Sequence, residues 1–389
     1  MKIAIVLTGG SGTRMAPITK TLNKGLVPID GQPALVSIIL QLEQSNIDQI
    51  IVLAGYLAWQ VEYLINDRSK FLKSKVFVSV TAPELSPAQR LLNTSELWMN
   101  ASEVVLIYCD NLFADVEIAN HLNNSGRQRV LVHKRTPGNI SIQELGTVNY
   151  SVKRSDESTF VELGYWILQP LNFLNILIKN RDLQKALQEL TSIDLVYPQE
   201  ISEYKTLSDL SRYSQERVKD RKTIFLDRDG VLIEGIGKGE YVRDISQIGF
   251  LKENLEFFSY LSSKYRLDFI VVTNQAGVER KLITLDEVDE INRFIAINSL
   301  KVGVPILAFY VCPHHWDSNC ECRKPKPGLL YRAIGDFLLD PTKCILIGDR
   351  ESDISAGVNA NIKSFLFPEK MSHRKRTESY QDVLNFLGT

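Results

Sequence analysis

Short apolar runs alternate with stretches whose apolar positions recur every three to four residues, along nearly the whole chain. The runs at 3–8, 49–53, 75–80, 103–108, 128–133, 146–151 and 161–168 are bounded by turn residues and predict strands. Helical patterns lie between several of them, near 34–45, 57–66 and 88–99. The alternation then lapses at Ser211-Arg-Tyr-Ser-Gln-Glu-Arg-Val-Lys-Asp-Arg-Lys222, which is polar, charged and without an apolar face. It restarts with expected strands at 223–227, 268–272, 305–311, 344–348 and 363–367. Helical stretches near 253–264, 285–300, 327–339 and 352–360 separate these. Both halves therefore predict an α/β fold with doubly wound, mostly parallel sheets. The expected domains are 1–213 and 223–389, joined by a linker at 214–222. Ligands of such sheets bind at the carboxyl ends of the strands.

A chain of 389 residues has room for two such cores. A formal net charge of −1 gives no global field for nucleic acid or a membrane surface, so small-molecule substrates are expected. No apolar stretch approaches the roughly 18 residues needed to cross a bilayer. The opening Met-Lys-Ile-Ala-Ile-Val-Leu runs into glycines and reads as a first strand, not a signal peptide. Five cysteines are unevenly spread: Cys312, Cys320 and Cys322 cluster, while Cys109 and Cys344 each sit alone in an apolar run. That pattern predicts a metal site in a reducing cytoplasm, not a disulfide framework.

The chemistry of the second half begins at Ile224-Phe-Leu-Asp227-Arg-Asp229-Gly230. A strand delivers two carboxylates to a sheet edge, and strand alternation puts both on one side. Carboxylates that close repel unless a cation sits between them or one is protonated. The set suits a magnesium ion, attack on phosphorus and protonation of a leaving group. Downstream, Thr273, Asn274 and Gln275 place hydroxyl and amide groups past a strand end, where they can bond phosphoryl oxygens. Arg323 and Lys324 supply cations just before a helix. Gly348-Asp349-Arg-Glu-Ser-Asp353 ends another strand in carboxylates that can complete a magnesium site. Between these lies Cys312-Pro-His314-His315-Trp-Asp-Ser-Asn-Cys320-Glu-Cys322. Cys312, His314, Cys320 and Cys322 would give a closed, structural zinc site, with His315 the alternative to His314.

This order of motifs resembles the haloacid dehalogenase (HAD) superfamily over 223–367. The resemblance implies that Asp227 is the nucleophile and Asp229 the general acid and base. Thr273 would bind the phosphoryl group and Lys324 would steady the charge. Asp349 would join Asp227 and the main-chain carbonyl of Asp229 on magnesium. The zinc loop running into Arg323-Lys324-Pro325 is similar to D-glycero-D-manno-heptose 1,7-bisphosphate phosphatases and to histidinol-phosphate phosphatases. Between Gly230 and Thr273 there is no room for a large cap domain, so substrate choice falls to small loops.

In the first half, Gly9-Gly10-Ser11-Gly12-Thr13-Arg14 follows the first strand. Glycines let backbone amides approach a triphosphate and form an anion nest. Arg14 adds charge, Lys24 brings a second cation, and Asp110 ends another strand in a carboxylate. Together these resemble the sugar-1-phosphate nucleotidyltransferases over 1–213. The resemblance implies that Gly9 to Arg14 cradle the nucleoside triphosphate, Lys24 contacts phosphate and Asp110 binds magnesium; the second metal carboxylate usually precedes a Gly-Thr-Pro-like segment, and here, in departure from that pattern, Glu203 would have to serve. The chain departs from that pattern at Thr8, where an alanine is usual, and at Leu85-Ser-Pro-Ala-Gln-Arg90, where a glycine-rich segment is usual. The joint expectation is a bifunctional enzyme. One half would remove the 7-phosphate of a heptose 1,7-bisphosphate, and the other would couple the heptose 1-phosphate to a nucleoside triphosphate, preferably GTP. The alternatives are a histidinol-phosphate phosphatase fused to another transferase, or to a degenerate nucleotide-sensing or scaffolding module. Trp59, Trp98 and Trp166 are expected in core or loop packing, not in cofactor contacts.

Overall fold

The computed structural model describes the chain apart from residues 30–31, 46, 69–71, 113–126, 135–137, 143–147, 156–159, 192, 198–201, 204–208, 210–220, 238–239, 266, 371 and 389. Most of the expected linker lies outside the described residues. The chain forms two compact units. The first holds Met1–Gly12, Asn23–Leu26 and Pro33–Tyr204; the second holds Thr13–Leu22, Val27–Gln32 and Lys205–Thr389. Two short pieces of the first half, one carrying Thr13 and Arg14, thus group with the second unit.

The first unit is built on a nine-stranded sheet. Lys2–Thr8 is flanked in parallel by Gln49–Ala54 and Glu103–Tyr108, and Lys75–Val80 pairs in parallel with Gln49–Ala54. Lys2–Thr8 is buried along almost its whole length, the expected state of a parallel strand covered on both faces. On the far side Phe160–Leu168 runs antiparallel to Glu103–Tyr108 and carries Gln128–Lys134 beside it. Trp98, Trp166, Phe173 and Leu177 are fully enclosed in the core. Trp59 is instead exposed. A leucine- or phenylalanine-sized side chain buried this way contributes about 1.5–3 kcal/mol. The expected helix near 88–99 is split into Pro87–Asn93 and Ser95–Trp98. The cause is Thr94, whose hydroxyl bonds back to the carbonyls of Arg90 and Leu91.

The second unit carries a five-stranded sheet, all parallel. Its strands lie in the order Ile306–Cys312, Leu267–Asn274, Lys222–Leu226, Cys344–Gly348, Lys363–Leu366. Lys222–Leu226 is central, with Leu226 level with Val271 on one neighbour and Ile347 on the other. Asp227, Thr273 and Asp349 therefore leave adjacent strands at the same carboxyl edge. Among the described residues, no helix is long and apolar enough to cross a membrane.

Candidate active sites

The second-unit site is organised by one lysine. Lys324 is almost fully buried, and its Nζ meets three acceptors: Asp227 Oδ1 at 2.9 Å, Asp353 Oδ1 at 2.6 Å and the Val272 carbonyl at 2.8 Å. Burial works against its charge, but Asp227 and Asp353 outweigh it and hold Lys324 protonated above the ordinary lysine range. Asn274 brackets the same residue from outside. Its Oδ1 accepts from the Lys324 amide and its Nδ2 donates to the Lys324 carbonyl, both at 3.1 Å. Burial pushes Asp227 up to about 7 against the pull of Lys324, and Asp353, Asp229 and Asp349 add to the rise.

Carboxylate oxygens of Asp227, Asp349 and Asp353 lie within 4.8 Å of one another. Asp349 Oδ1 is buried with no hydrogen-bond partner. Glycine is required on both sides: a Cβ on Gly230, at φ +86°, would stand 2.4 Å from Asp349 Oδ2, and one on Gly348 would stand 2.2 Å from Asp353 Cβ. Three crowded carboxylates with an orphaned oxygen fit a hard divalent cation such as magnesium. The side chain of Asp229 is not among the three. The strand ends at Leu226, so strand alternation no longer governs residue 229. Instead the fully buried Arg228 holds the Asp229 carboxylate in a fork, Nε to Oδ2 at 3.2 Å and Nη2 to Oδ1 at 3.1 Å. Gln275 Nε2 donates to Asp229 Oδ2 at 2.8 Å and to the Thr273 hydroxyl at 2.9 Å.

The cysteine cluster stands at the end of strand Ile306–Cys312. Cys312 Sγ is 3.7 Å from Cys320 Sγ and 3.7 Å from His314 Nδ1; Cys322 Sγ is 3.6 Å from Cys320 Sγ and 3.1 Å from His314 Nδ1. Ligands about 2.3 Å from a tetrahedral zinc stand roughly 3.8 Å apart, so this donor set fits that ion. His314 is the histidine that faces the thiols. His315 turns its ring to Trp316 and Asp317, and its amide donates to Glu279. Arg323 points back into the loop, donating to the His314 carbonyl at 3.3 Å.

In the first unit, Lys24 Nζ meets Asp110 Oδ2 at 2.5 Å. The fully buried Asn23 aims this lysine. Its Oδ1 accepts from the Thr8 hydroxyl and, at 2.9 Å, from the Gly25 amide. Its Nδ2 donates to the carbonyls of Thr8 at 3.0 Å and Tyr56 at 2.6 Å. The unusual Thr8 is thus part of the support for the Lys24 turn. Glu203 lies in Ser202–Glu203, whose antiparallel pairing sets Glu203 opposite Asn111, next in sequence to Asp110. Gly9 is buried and Gly10 exposed at the start of the glycine turn, and Gly12 adopts φ +62°. Ser11 is exposed, and Thr13 and Arg14 form a short 3-10 turn.

Sequence reasoning did not assign roles to Arg228, Asn292, Asn23 or Arg90. Asn292 had a visible signal, since it is a polar residue on the helix face that buries Val288, Ile291 and Ile295. It accepts from Arg228 Nη1 at 3.2 Å.

A nucleotidyl transferase family model matches residues 3–132, and a HAD-hydrolase-like model matches residues 321–384. The chain therefore joins a nucleotidyltransferase domain to a HAD-like phosphatase domain, and both are enzyme domains. Among curated proteins it is 36% identical over 150 residues to the D-glycero-beta-D-manno-heptose-1,7-bisphosphate 7-phosphatase of Pasteurella multocida, covering 37% of this chain and 79% of that protein. It is 34% identical over 170 residues to the D-glycero-alpha-D-manno-heptose-1,7-bisphosphate 7-phosphatase of Campylobacter jejuni, covering 43% and 95%. The chain belongs to the heptose-1,7-bisphosphate 7-phosphatase family, extended by a nucleotidyltransferase domain. Among solved structures, the CTP:phosphocholine cytidylyltransferase of Streptococcus pneumoniae aligns with TM-score 0.46 at 18% identity, over 55% of this chain and 98% of that one.

Proposed function

We propose that the chain performs two successive steps in making a nucleotide-activated heptose. The second half removes the 7-phosphate from D-glycero-D-manno-heptose 1,7-bisphosphate. The first half transfers a nucleotidyl group from a nucleoside triphosphate, preferably GTP, to the resulting heptose 1-phosphate and releases pyrophosphate. The observation that carries the hydrolytic half is the buried Asp227–Lys324–Asp353 group beside the orphaned Asp349 oxygen. The relatives' names supply the sugar.

Asp227 attacks phosphorus and takes the phosphoryl group. Asp229, aimed by Arg228 and Gln275, protonates the departing sugar oxygen and then takes a proton from the water that hydrolyses the aspartyl phosphate. The Thr273 hydroxyl bonds a phosphoryl oxygen, Asn274 holds the Lys324 main chain with both of its side-chain polar atoms, and Lys324 offsets the charge on Asp227 and phosphate. Magnesium held by Asp227, Asp349 and the Asp229 carbonyl would neutralise phosphoryl charge during transfer. Zinc on Cys312, His314, Cys320 and Cys322 would fix the loop that delivers Arg323 and Lys324.

In the first half, the Gly9–Gly12 amides and Lys24 hold the triphosphate, and Asp110 and Glu203 are the carboxylates for its magnesium. Lining up the sugar phosphate with the α-phosphorus supplies most of that catalysis. The product of one half is the substrate of the other, which gives the fusion a chemical logic.

The test supplies purified protein with each anomer of heptose bisphosphate, magnesium and each nucleoside triphosphate in turn, and follows phosphate and pyrophosphate. Phosphate release followed by pyrophosphate release with GTP is expected. Phosphate without any pyrophosphate would overturn the transferase step. Faster turnover of histidinol phosphate than of either bisphosphate would overturn the sugar.

A further inference from the structure

The first unit holds a buried cation that the roles above do not use. Arg90, on Pro87–Asn93, is 3% exposed. It sits where the strands Lys2–Thr8, Gln49–Ala54 and Lys75–Val80 end, the edge at which open α/β sheets bind ligands. Its Nε donates to the Leu85 carbonyl at 3.2 Å. Its Nη2 donates to the carbonyls of Ala82 at 3.1 Å and Pro83 at 2.8 Å, and Nη1 donates to the Thr81 hydroxyl at 3.1 Å. A guanidinium has five N–H groups, so these four bonds leave one, and it is on Nη1.

Nη1 is also the atom pressed against the glycine turn. A Cβ on Gly9 would stand 2.1 Å from it, and one on Gly55 would stand 2.3 Å from it. While its four hydrogen bonds hold the guanidinium in this place, Arg90 leaves no room for a Cβ at either glycine. Every acceptor it uses is neutral, and among the described residues it has no carboxylate at ion-pair distance. Burial lowers its pKa, opposed only by the exposed Glu84. A buried charge held by neutral groups costs stability unless a counter-charge completes it. The adjacent Gly10 is exposed with open space around it, so that counter-charge can come from solution.

We propose that Arg90 is a positioning residue for the polyphosphate of the bound nucleotide. Its buried charge and remaining Nη1–H bias the Gly9–Gly10 turn toward a polyanion, in place of the glycine-rich 85–90 segment that this chain lacks. The assignment rests on the nucleotidyltransferase reading of the first half.

The test measures binding of GTP, GDP, GMP and guanosine to the full chain, at low and high salt, in wild type, Arg90→Lys and Arg90→Gln. Removing the charge is expected to weaken GTP about tenfold or more, with a smaller loss for GDP and GMP and none for guanosine. The salt dependence of GTP binding is expected to flatten in Arg90→Gln and to persist in Arg90→Lys. Equal losses for GTP and guanosine in Arg90→Gln would overturn the proposal, because a role in shaping the loop or reading the base ignores phosphate count. Unchanged or tighter GTP binding in Arg90→Gln would also overturn it, leaving Arg90 as a plug. A wild type that binds no nucleoside triphosphate and releases no pyrophosphate would instead sink the transferase reading itself.

Discussion

The two sites balance their charge differently. In the second unit, buried Lys324 is matched by Asp227 and Asp353, and buried Arg228 is matched by Asp229. Both buried cations there have carboxylate partners, and one buried carboxylate oxygen on Asp349 is left over for a cation. In the first unit, Lys24 has Asp110, but Arg90 is buried among neutral acceptors. The contrast separates a site assembled in advance from one that its ligand completes. A preassembled site loses most when a member is removed, since its partners are stranded in low dielectric.

The largest effect should come from Asp227→Asn. Loss of the carboxylate proposed as nucleophile is expected to lower phosphate release by at least about 10³-fold, measured with heptose bisphosphate, while pyrophosphate release from added heptose 1-phosphate continues. Retained hydrolysis would remove Asp227 from the chemistry.

Lys324→Met comes next. It leaves Asp227 and Asp353 facing each other without their shared cation. Breaking such a buried group is expected to cost about 3–5 kcal/mol of second-domain stability and most phosphatase activity. Melting curves read the first and turnover the second. A fully stable variant would show that the charge balance described above is not what holds the site.

The cluster of Cys312, His314, Cys320 and Cys322 acts one step further out. Arg323 and Lys324 directly follow Cys322, and Asn274 holds the Lys324 main chain from the neighbouring strand. Cys320→Ser, or a strong chelator, is expected to reduce zinc content and to lower phosphatase turnover roughly tenfold or more. The transferase should be untouched. Full phosphatase activity in zinc-free protein, with metal content measured, would confine the cluster to a packing role.

Sequence pattern carried the parallel strands well, because buried strands read as unbroken apolar runs such as 3–8 and 344–348. It missed Gly138–Ile142, which has only two apolar residues in five, and Ile193–Val196, which is apolar but only four residues long. It also missed His373–Gly388, whose first turns are charged and whose buried positions reduce to Val383 and Leu387. The helix Pro170–Asn180 was legible in principle from Pro170 at its first turn. Within the sites, ligand-type residues stand out by chemistry alone. Supporting residues such as Asn23 and Asn292 do not, since their role exists only once distant segments meet. Arg90 is the sharpest case. The 85–90 segment looked like the loss of a binding loop, whereas the folded chain puts a cation against the glycine turn.

Thr8→Val should produce the smallest effect, and it probes the same contrast from the first unit. The change keeps the side-chain shape and deletes the hydroxyl that donates to Asn23 Oδ1. Asn23 Oδ1 still accepts from the Gly25 amide, and Asn23 Nδ2 keeps both carbonyls. One of several bonds is lost, so a cost of about 1 kcal/mol in first-domain stability is expected. The Lys24 turn loses one restraint, and pyrophosphate release should fall a few-fold with phosphate release unchanged. Asn23→Ala, which strips all four bonds, should cost several times more in both readouts. If Thr8→Val were as damaging as Asn23→Ala, the support for Lys24 would hinge on that hydroxyl alone. The first-unit site would then be as finely preassembled as the second.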